Sequence, residues 1–263
     1  MSTIVYHKTD DKSLGIVCGR GVSKKFPPHR HKSVSLGMVL KGSRLLTIRQ
    51  TKYVIAEGDV FIINSEESHS IGETLDIAHD YIVVSLTPKL IARYTDDGLP
   101  LFENIVESRV LAENLERLFC FLIQKSEGPI PADWAVLIGE MYRFQKSESI
   151  DITCDKRLEK VKTILDRSVT DPHSLSELAG EAAISEFHFS RMFKNYTGLA
   201  PHQYLLDNRL HFAREMLEAG MLVSDVAIAA GFYDTSHFIR HFSGYYGVSP
   251  LDFQRGIQKL SLE

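Results

Sequence analysis

The chain has 263 residues, of which 44% are hydrophobic and 24% charged, with a formal net charge of −4; this excludes a disordered chain and leaves room for two ordinary domains. No apolar run reaches the length of a bilayer-crossing helix, and residues 1–11 are polar with no signal-peptide core, so a cytoplasmic protein that engages no membrane is expected. Cys18, Cys120 and Cys154 are scattered without metal or redox spacing, which fits a reducing compartment rather than a disulfide scaffold.

Short alternating stretches fill residues 4–86 and predict strands at 36–40, 45–49, 53–56, 60–63 and 82–86. Turns fall at Lys41-Gly42 and Glu57-Gly58-Asp59. Strands this closely spaced predict a β-sandwich or jelly roll. The set Pro28-His29-Arg30-His31, Gly42, Glu57-Gly58-Asp59 and His69 resembles a cupin barrel. In cupin enzymes a metal is held by two histidines, a glutamate and a later histidine. Here His29, His31 and His69 stand in the histidine places, while the glutamate place falls on Ser35 or Leu36. Three imidazoles can bind zinc, orient a small molecule, or serve the core. Without the carboxylate, no metal and no cofactor is expected, and the three are assigned to ligand binding. His79 and Tyr81 share one strand face with Ile77 and Val83 and join the candidate ligand site, or are satisfied core residues.

After Pro88 the period becomes helical. Leu111, Leu115, Leu118 and Leu122 step by four, three and four on a helix expected over 108–125, with Phe119 and Ile123 widening the stripe. A second helix over 131–144 turns Trp134, Leu137, Ile138 and Met141 inward. The leucine seam either covers the barrel or forms a homodimer contact, and the four leucines are assigned to dimerisation. Residues 147–154 are polar and predict a linker.

The last ninety residues say nearly the same thing twice. Leu175, Leu178, Ala179, Ala182, Ile184, Phe189, Arg191, Phe193, Tyr196, Gly198, Pro201 and Tyr204 recur as Val223, Val226, Ala227, Ala230, Phe232, Phe238, Arg240, Phe242, Tyr245, Gly247, Pro250 and Phe253, at an offset of 48 before the turn and 49 after it. Each unit predicts a helix-turn-helix. Ser174 caps a first helix through Ala183, with Glu177 at the capping-box position, Ser185 caps the next, and Ser224 caps the second unit's first helix. Gly231 sits in a turn that often requires positive φ. Pro201 starts a connecting helix that ends near Gly220. The face left outward in the first unit is Glu186, Phe187, His188, Ser190, Arg191 and Lys194; in the second it is Thr235, Ser236, His237, Ile239 and Arg240. Two such helices about one duplex turn apart, roughly 34 Å, enter successive major grooves. Residues 155–263 carry 12 Lys+Arg against 14 Asp+Glu, so DNA affinity depends on local placement, with Arg191, Lys194, Arg209, Arg214 and Arg240 expected toward phosphate.

The run from Ala227 through Gly231-Phe232, Ser236, Phe238, Arg240 and Phe242 to Tyr246-Gly247-Val248-Ser249-Pro250 resembles the signature of the AraC/XylS family of bacterial transcription regulators. The resemblance implies a one-component regulator that reads double-stranded DNA with two recognition helices and usually recruits RNA polymerase. It places base-contacting positions on Phe187, Ser190 and Arg191, and on Thr235, Ser236, His237, Ile239 and Arg240; Lys194 is added for phosphate. The expected architecture is α+β: a cupin-like sensor (1–100), a helical dimerisation segment (101–146), a linker (147–154) and an all-α double helix-turn-helix domain (155–263). The expected function is a homodimeric, non-enzymatic, DNA-binding regulator, an activator responsive to a small-molecule effector. A metal-dependent cupin enzyme fused to a DNA-binding domain, and a regulator whose cupin only dimerises or binds a protein, are the alternatives.

Overall fold

A computed structural model describes residues 2–72, 78–95, 99–124, 130, 132–146 and 155–260. The linker, Ile77, Pro131 and Cys154 lie outside the described residues. The fold is α+β, as expected, and divides into a sheet-rich unit and a helical unit. The first comprises Met1–Lys25, His31–Ser149 and Gly256–Glu263; the second, Phe26–Arg30 and Ile150–Arg255.

In chain order the sheet-forming segments are β1 (Thr3–Thr9), β2 (Leu14–Val22), β3 (Phe26–His29), β4 (Val34–Lys41), β5 (Ser43–Ile48), β6 (Thr51–Ala56), β7 (Val60–Ile63), β8 (His69–Gly72), β9 (His79–Leu86), β10 (Ile105–Val106) and β11 (Gln258–Leu260). The helices of the first unit are α1 (Pro88–Ile91), α2 (Arg109–Ile123) and α3 (Trp134–Tyr142). The larger sheet runs β10-β7-β4-β9-β2-β1-β11, and β8-β5-β6 form the second sheet within this unit.

Strand alternation sorts the residues between two cores. Ile82, Val84 and Leu86 of β9 join Leu14, Ile16 and Cys18 of β2 and Val34, Leu36 and Met38 of β4 beneath α2 and α3. The opposite face, with Val39 and Val83, meets Leu46, Ile48 and Ile55 of the smaller sheet and Phe61 and Ile63 of β7. The structure corrects the leucine seam. Leu111, Leu115 and Leu118 are fully buried and Leu122 is 7% exposed, all within the core of their own unit. Their stripe faces the larger sheet, whose outer apolar residues α2 covers together with α3, rather than a second chain. Ser108 caps α2 as expected, accepting from the Leu111 N–H, and Asp133 caps α3 through Val136. Cys18 is buried and Cys120 exposed, both as free thiols.

The helical unit contains α4 (Lys156–Arg167), α5 (Leu175–Glu181), α6 (Glu186–Thr197), α7 (Pro201–Glu218), α8 (Val223–Ala229), α9 (Thr235–Tyr246) and α10 (Pro250–Gly256). The sequence repeat is also a hydrogen-bond repeat. In the first turn Ala183 N–H donates to Gly180 and Ile184 N–H to Ala179; in the second Gly231 donates to Ile228 and Phe232 to Ala227. Both reading helices then end on a left-handed glycine: Gly198 N–H donates to Lys194, and Gly247 to Ser243. At the first of these turns the left-handed position is held by Ala183 (φ 54°), and at the second by Gly231 (φ 75°).

Three capping expectations meet different outcomes. Ser174 and Glu177 make the reciprocal capping box, though α5 stops at Glu181. Ser185 holds the N-cap position of α6 without a side-chain bond. Ser224 does not cap α8: the cap position is Leu222, and the Ser224 hydroxyl turns to Asp225 Oδ1 at 3.2 Å. The extended backbone needed at a cap falls two residues earlier than the hydroxyl. Asp234 caps α9 by accepting from His237 N–H at 2.6 Å.

Phe189 and Phe193 of α6 and Phe238 and Phe242 of α9 are fully buried, so these four face the core. Leu158, Val161 and Leu165 of α4 complete the core of the first helix-turn-helix.

One charged residue organises the middle of this unit. Arg30, 3% exposed, pairs through Nε with Asp207 Oδ2 at 3.2 Å and places its guanidinium 3.8 Å from the Tyr204 ring centroid. It also donates to Asn208 Oδ1 and, from its backbone N–H, to Asp207 Oδ1. Its carbonyl accepts from His211 Nε2 at 2.7 Å and from the Tyr245 hydroxyl. A buried ion pair is tolerated only with such supporting bonds.

Candidate DNA-reading surface and ligand chamber

The helix-turn-helix geometry decides which side chains point outward. On α6, with Phe189 and Phe193 inward, Phe187 is 81% exposed, Arg191 and Lys194 are exposed, and Ser190 is half-buried. On α9, Ser236, Ile239 and Arg240 are exposed and Thr235 is half-buried. His237 is held more closely than expected. Its ring stands edge-on to His241, with centroids 4.5 Å apart, and packs against Phe232. Tyr233, 93% exposed in the turn just before α9, was not anticipated. Its signal was available, since it sits between a buried Phe232 and the capping Asp234.

Two of the five cations expected toward phosphate serve the fold instead. Arg209 Nε donates to the Val169 carbonyl at 2.9 Å and Nη2 to that of Asp171 at 3.1 Å, tying down the chain after α4. Arg214 pairs with Glu218 at 2.9 Å, one turn along α7. Glu218 lies on α7 itself, and the carbonyls of Val169 and Asp171 follow α4. Arg191, Lys194 and Arg240 keep exposed side chains on the reading helices.

In the sheet-rich unit, His31 and His69 come together with ring centroids 5.1 Å apart. His29, one residue before Arg30 and two before His31, belongs to the helical unit. Backbone carbonyls orient two of these rings: His29 Nδ1 lies 2.7 Å from the Pro27 oxygen and His69 Nδ1 3.1 Å from that of Glu67. Burial brings the His69 pKa down to about 4, so the ring is neutral at pH 7. Ser35 stands on β4 in register with Ile63 and Ser85. Its hydroxyl is no metal anion.

His79 and Tyr81 are both buried and stack with centroids 5.5 Å apart and an interplanar angle of 25°. The Tyr81 ring lies over Gly19, where an added Cβ would meet it at 2.1 Å, so the absence of a side chain at 19 makes room for the phenol. Beside them is a residue that sequence reasoning missed. Arg44 is 5% exposed, with its guanidinium carbon 4.8 Å from the Tyr81 ring centroid. The sequence did carry the clue. With β5 starting at Ser43, Arg44 shares its face with Leu46 and Ile48, a charge on the apolar side of a strand; a strand read from 45 leaves Arg44 in the preceding turn.

Comparison with known proteins agrees with both halves. A family described as "AraC-like ligand binding domain" matches residues 18–131, and one described as "Helix-turn-helix domain" matches 178–256. The chain is 25% identical over 228 residues to an uncharacterized HTH-type transcriptional regulator, YbfI, of Bacillus subtilis, covering 83% of each chain. It is 23% identical over 261 residues to the HTH-type transcriptional activator RhaR of Escherichia coli K12, covering 91% of each. The crystal structure of ToxT from Vibrio cholerae O395 has the same fold, with a TM-score of 0.57 at 15% identity over 93% of this chain and 98% of that one. No helix of the described residues is long and apolar enough to cross a membrane. The sheet-rich unit is thus matched as an AraC-like ligand-binding domain and the helical unit as a helix-turn-helix domain, and over most of its length the chain is similar to transcription regulators that combine the two.

Proposed function

We propose that this regulator is a cytoplasmic, homodimeric activator that reads a two-part operator with α6 and α9 and answers to a small molecule held in the sheet-rich unit. The observation that carries the reading is the matched pair of helix-turn-helix units, with the same turn hydrogen bonds and left-handed ends and with an exposed arginine, Arg191 or Arg240, on the outer face of each reading helix. Arg191 and Arg240, equivalent in the repeat, are assigned to guanine or phosphate; Ser190, Thr235, Ser236 and Ile239 fit thymine methyls and phosphates, Phe187 a base or sugar face, and Lys194 a phosphate. His237 is assigned a backbone or edge contact within reach of its packed position.

The activator assignment, and with it a contact to RNA polymerase, draws on the kinship with RhaR, itself named an activator. A homodimer contact is assigned to the outer side of α2, where Val110 is 39% exposed, rather than to its buried leucines. His29, His31, His69, His79 and Tyr81 are assigned to effector binding, as polar groups able to orient a ligand in an apolar setting.

The test compares Arg191→Ala and Arg240→Ala with the parent on operator and scrambled duplexes at fixed salt, with circular dichroism as a folding control. Each substitution weakens operator binding by about 1–3 kcal/mol where it removes a bidentate guanine contact. Equal losses on both duplexes reduce the arginines to phosphate anchors.

A further inference from the structure

The second turn holds one residue that the first does not. In the first repeat the N-cap Ser185 directly follows Ile184; in the second, Phe232 is followed by Tyr233 and only then by the N-cap Asp234. Phe232 is buried and packs on Phe238 and His237, while the inserted Tyr233 is 93% exposed. A ring left in water contributes no burial to the fold. The matching ring of the first repeat stands on the helix itself. Phe187, the second residue of α6, is 81% exposed and aligns, at the offset of 49, with Ser236 of α9. Each reading helix therefore begins beside one exposed aromatic ring, supplied by the helix in the first repeat and by the inserted residue in the second. These two are the most exposed large hydrophobic side chains among the described residues.

A reading helix enters the groove by its N-terminal end, so a residue just before the cap meets the sugar-phosphate wall rather than a base edge. The charge at this end of α9 is the Asp234 carboxylate, held on the helix by the His237 N–H at 2.6 Å. A phenol beside it offers a neutral donor and an apolar ring, which suit a phosphate oxygen and a deoxyribose face. We propose that Tyr233 is a DNA-backbone contact of the second reading helix, its hydroxyl donating to a phosphate at the edge of the second operator element and its ring covering the adjoining sugar. This rests on reading α9 as a recognition helix, and it adds a residue that positions that helix without selecting a base. Because the phenol is uncharged, it adds affinity without displacing a counterion.

The test uses the full chain and a duplex that it selects from a random-sequence pool, with affinity measured over a series of salt concentrations and circular dichroism as the folding control. Tyr233→Phe binds about fivefold more weakly through the lost hydrogen bond, and Tyr233→Ala, which also loses the ring, about twentyfold. Neither changes the slope of log affinity against log salt. Tyr233→Lys steepens that slope by about one, for one more phosphate neutralised. Parent-like binding by Tyr233→Phe or Tyr233→Ala, or a parent-like slope for Tyr233→Lys, overturns the inference. Arg240→Ala on the same duplex separates this from the reading beneath it. If Arg240→Ala weakens binding and the Tyr233 variants do not, the phenol contact alone falls; if none of them weakens binding, α9 is not a reading helix and both fall.

Discussion

Gly231→Ala isolates the turn that sets the second reading helix. At φ 75° an alanine pays roughly 1–2 kcal/mol for left-handed backbone, offset by up to about 1 kcal/mol from a less flexible unfolded chain. The surroundings then add to the cost. The new Cβ stands 2.9 Å from the Thr170 carbonyl oxygen and 3.2 Å from its Cα, backbone atoms that cannot rotate aside. Arg209, whose Nε lies 3.3 Å from that Cβ, is bonded to the Val169 carbonyl and has little room to yield. The sum is about 2–3 kcal/mol. Ala183, at the equivalent position of the first repeat with φ 54°, makes the reverse experiment. Ala183→Gly removes the left-handed penalty and adds back chain entropy, so it is neutral or stabilising by about 0.5 kcal/mol. Urea unfolding followed by far-UV circular dichroism measures both, while emission from the single tryptophan, Trp134 of α3, follows the sheet-rich unit separately. A loss under about 1 kcal/mol for Gly231→Ala, or an equal loss for Ala183→Gly, refutes the reasoning.

Two further outcomes follow from buried charge. Arg30→Met leaves Asp207, 2% exposed, without its guanidinium partner and destabilises the helical unit by about 3–5 kcal/mol; adding Asp207→Leu recovers part of the loss, measured as a double-mutant cycle in urea. His69 is held neutral in the fold, with its pKa brought from 6.5 to about 4, so the unfolded chain takes up the proton first as pH falls. Its contribution is fully present above pH 6.5, declines toward pH 4, and amounts to a loss of about 2 kcal/mol at pH 5, read from the Trp134 transition. A His69→Gln variant whose midpoint keeps the parent's slope between pH 7 and 5 contradicts that assignment.

The helical unit was more legible than the sheet unit because its information is local. Phe189 with Phe193, and Phe238 with Phe242, fix the inward face by spacing alone, and Gly231 and Gly247 mark turns that backbone sterics require. Ser224 misled because a hydroxyl beside a helix start resembles a cap wherever the extended residue falls. Arg209 and Arg214 misled because a basic side chain's partner is chosen in three dimensions: carbonyls 169–171 lie some 40 positions from Arg209. The leucines of α2 have the spacing of a seam, and spacing cannot say whether a sheet or a second chain meets them. Arg30 and Arg44 were invisible as core residues for the same reason. Arg30 is buried by Asp207 and Asn208, nearly 180 positions away, and Arg44 by β9.

The most direct measurement is selection of bound duplexes from a random-sequence pool by the full chain, repeated with Arg191→Ala and with Arg240→Ala. The parent enriches two sequence elements about one helical turn apart, roughly 10 base pairs centre to centre. Arg191→Ala relaxes one element and Arg240→Ala the other. Enrichment of a single element, or loss of both elements with either substitution, contradicts the assignment of two equivalent reading helices to one operator.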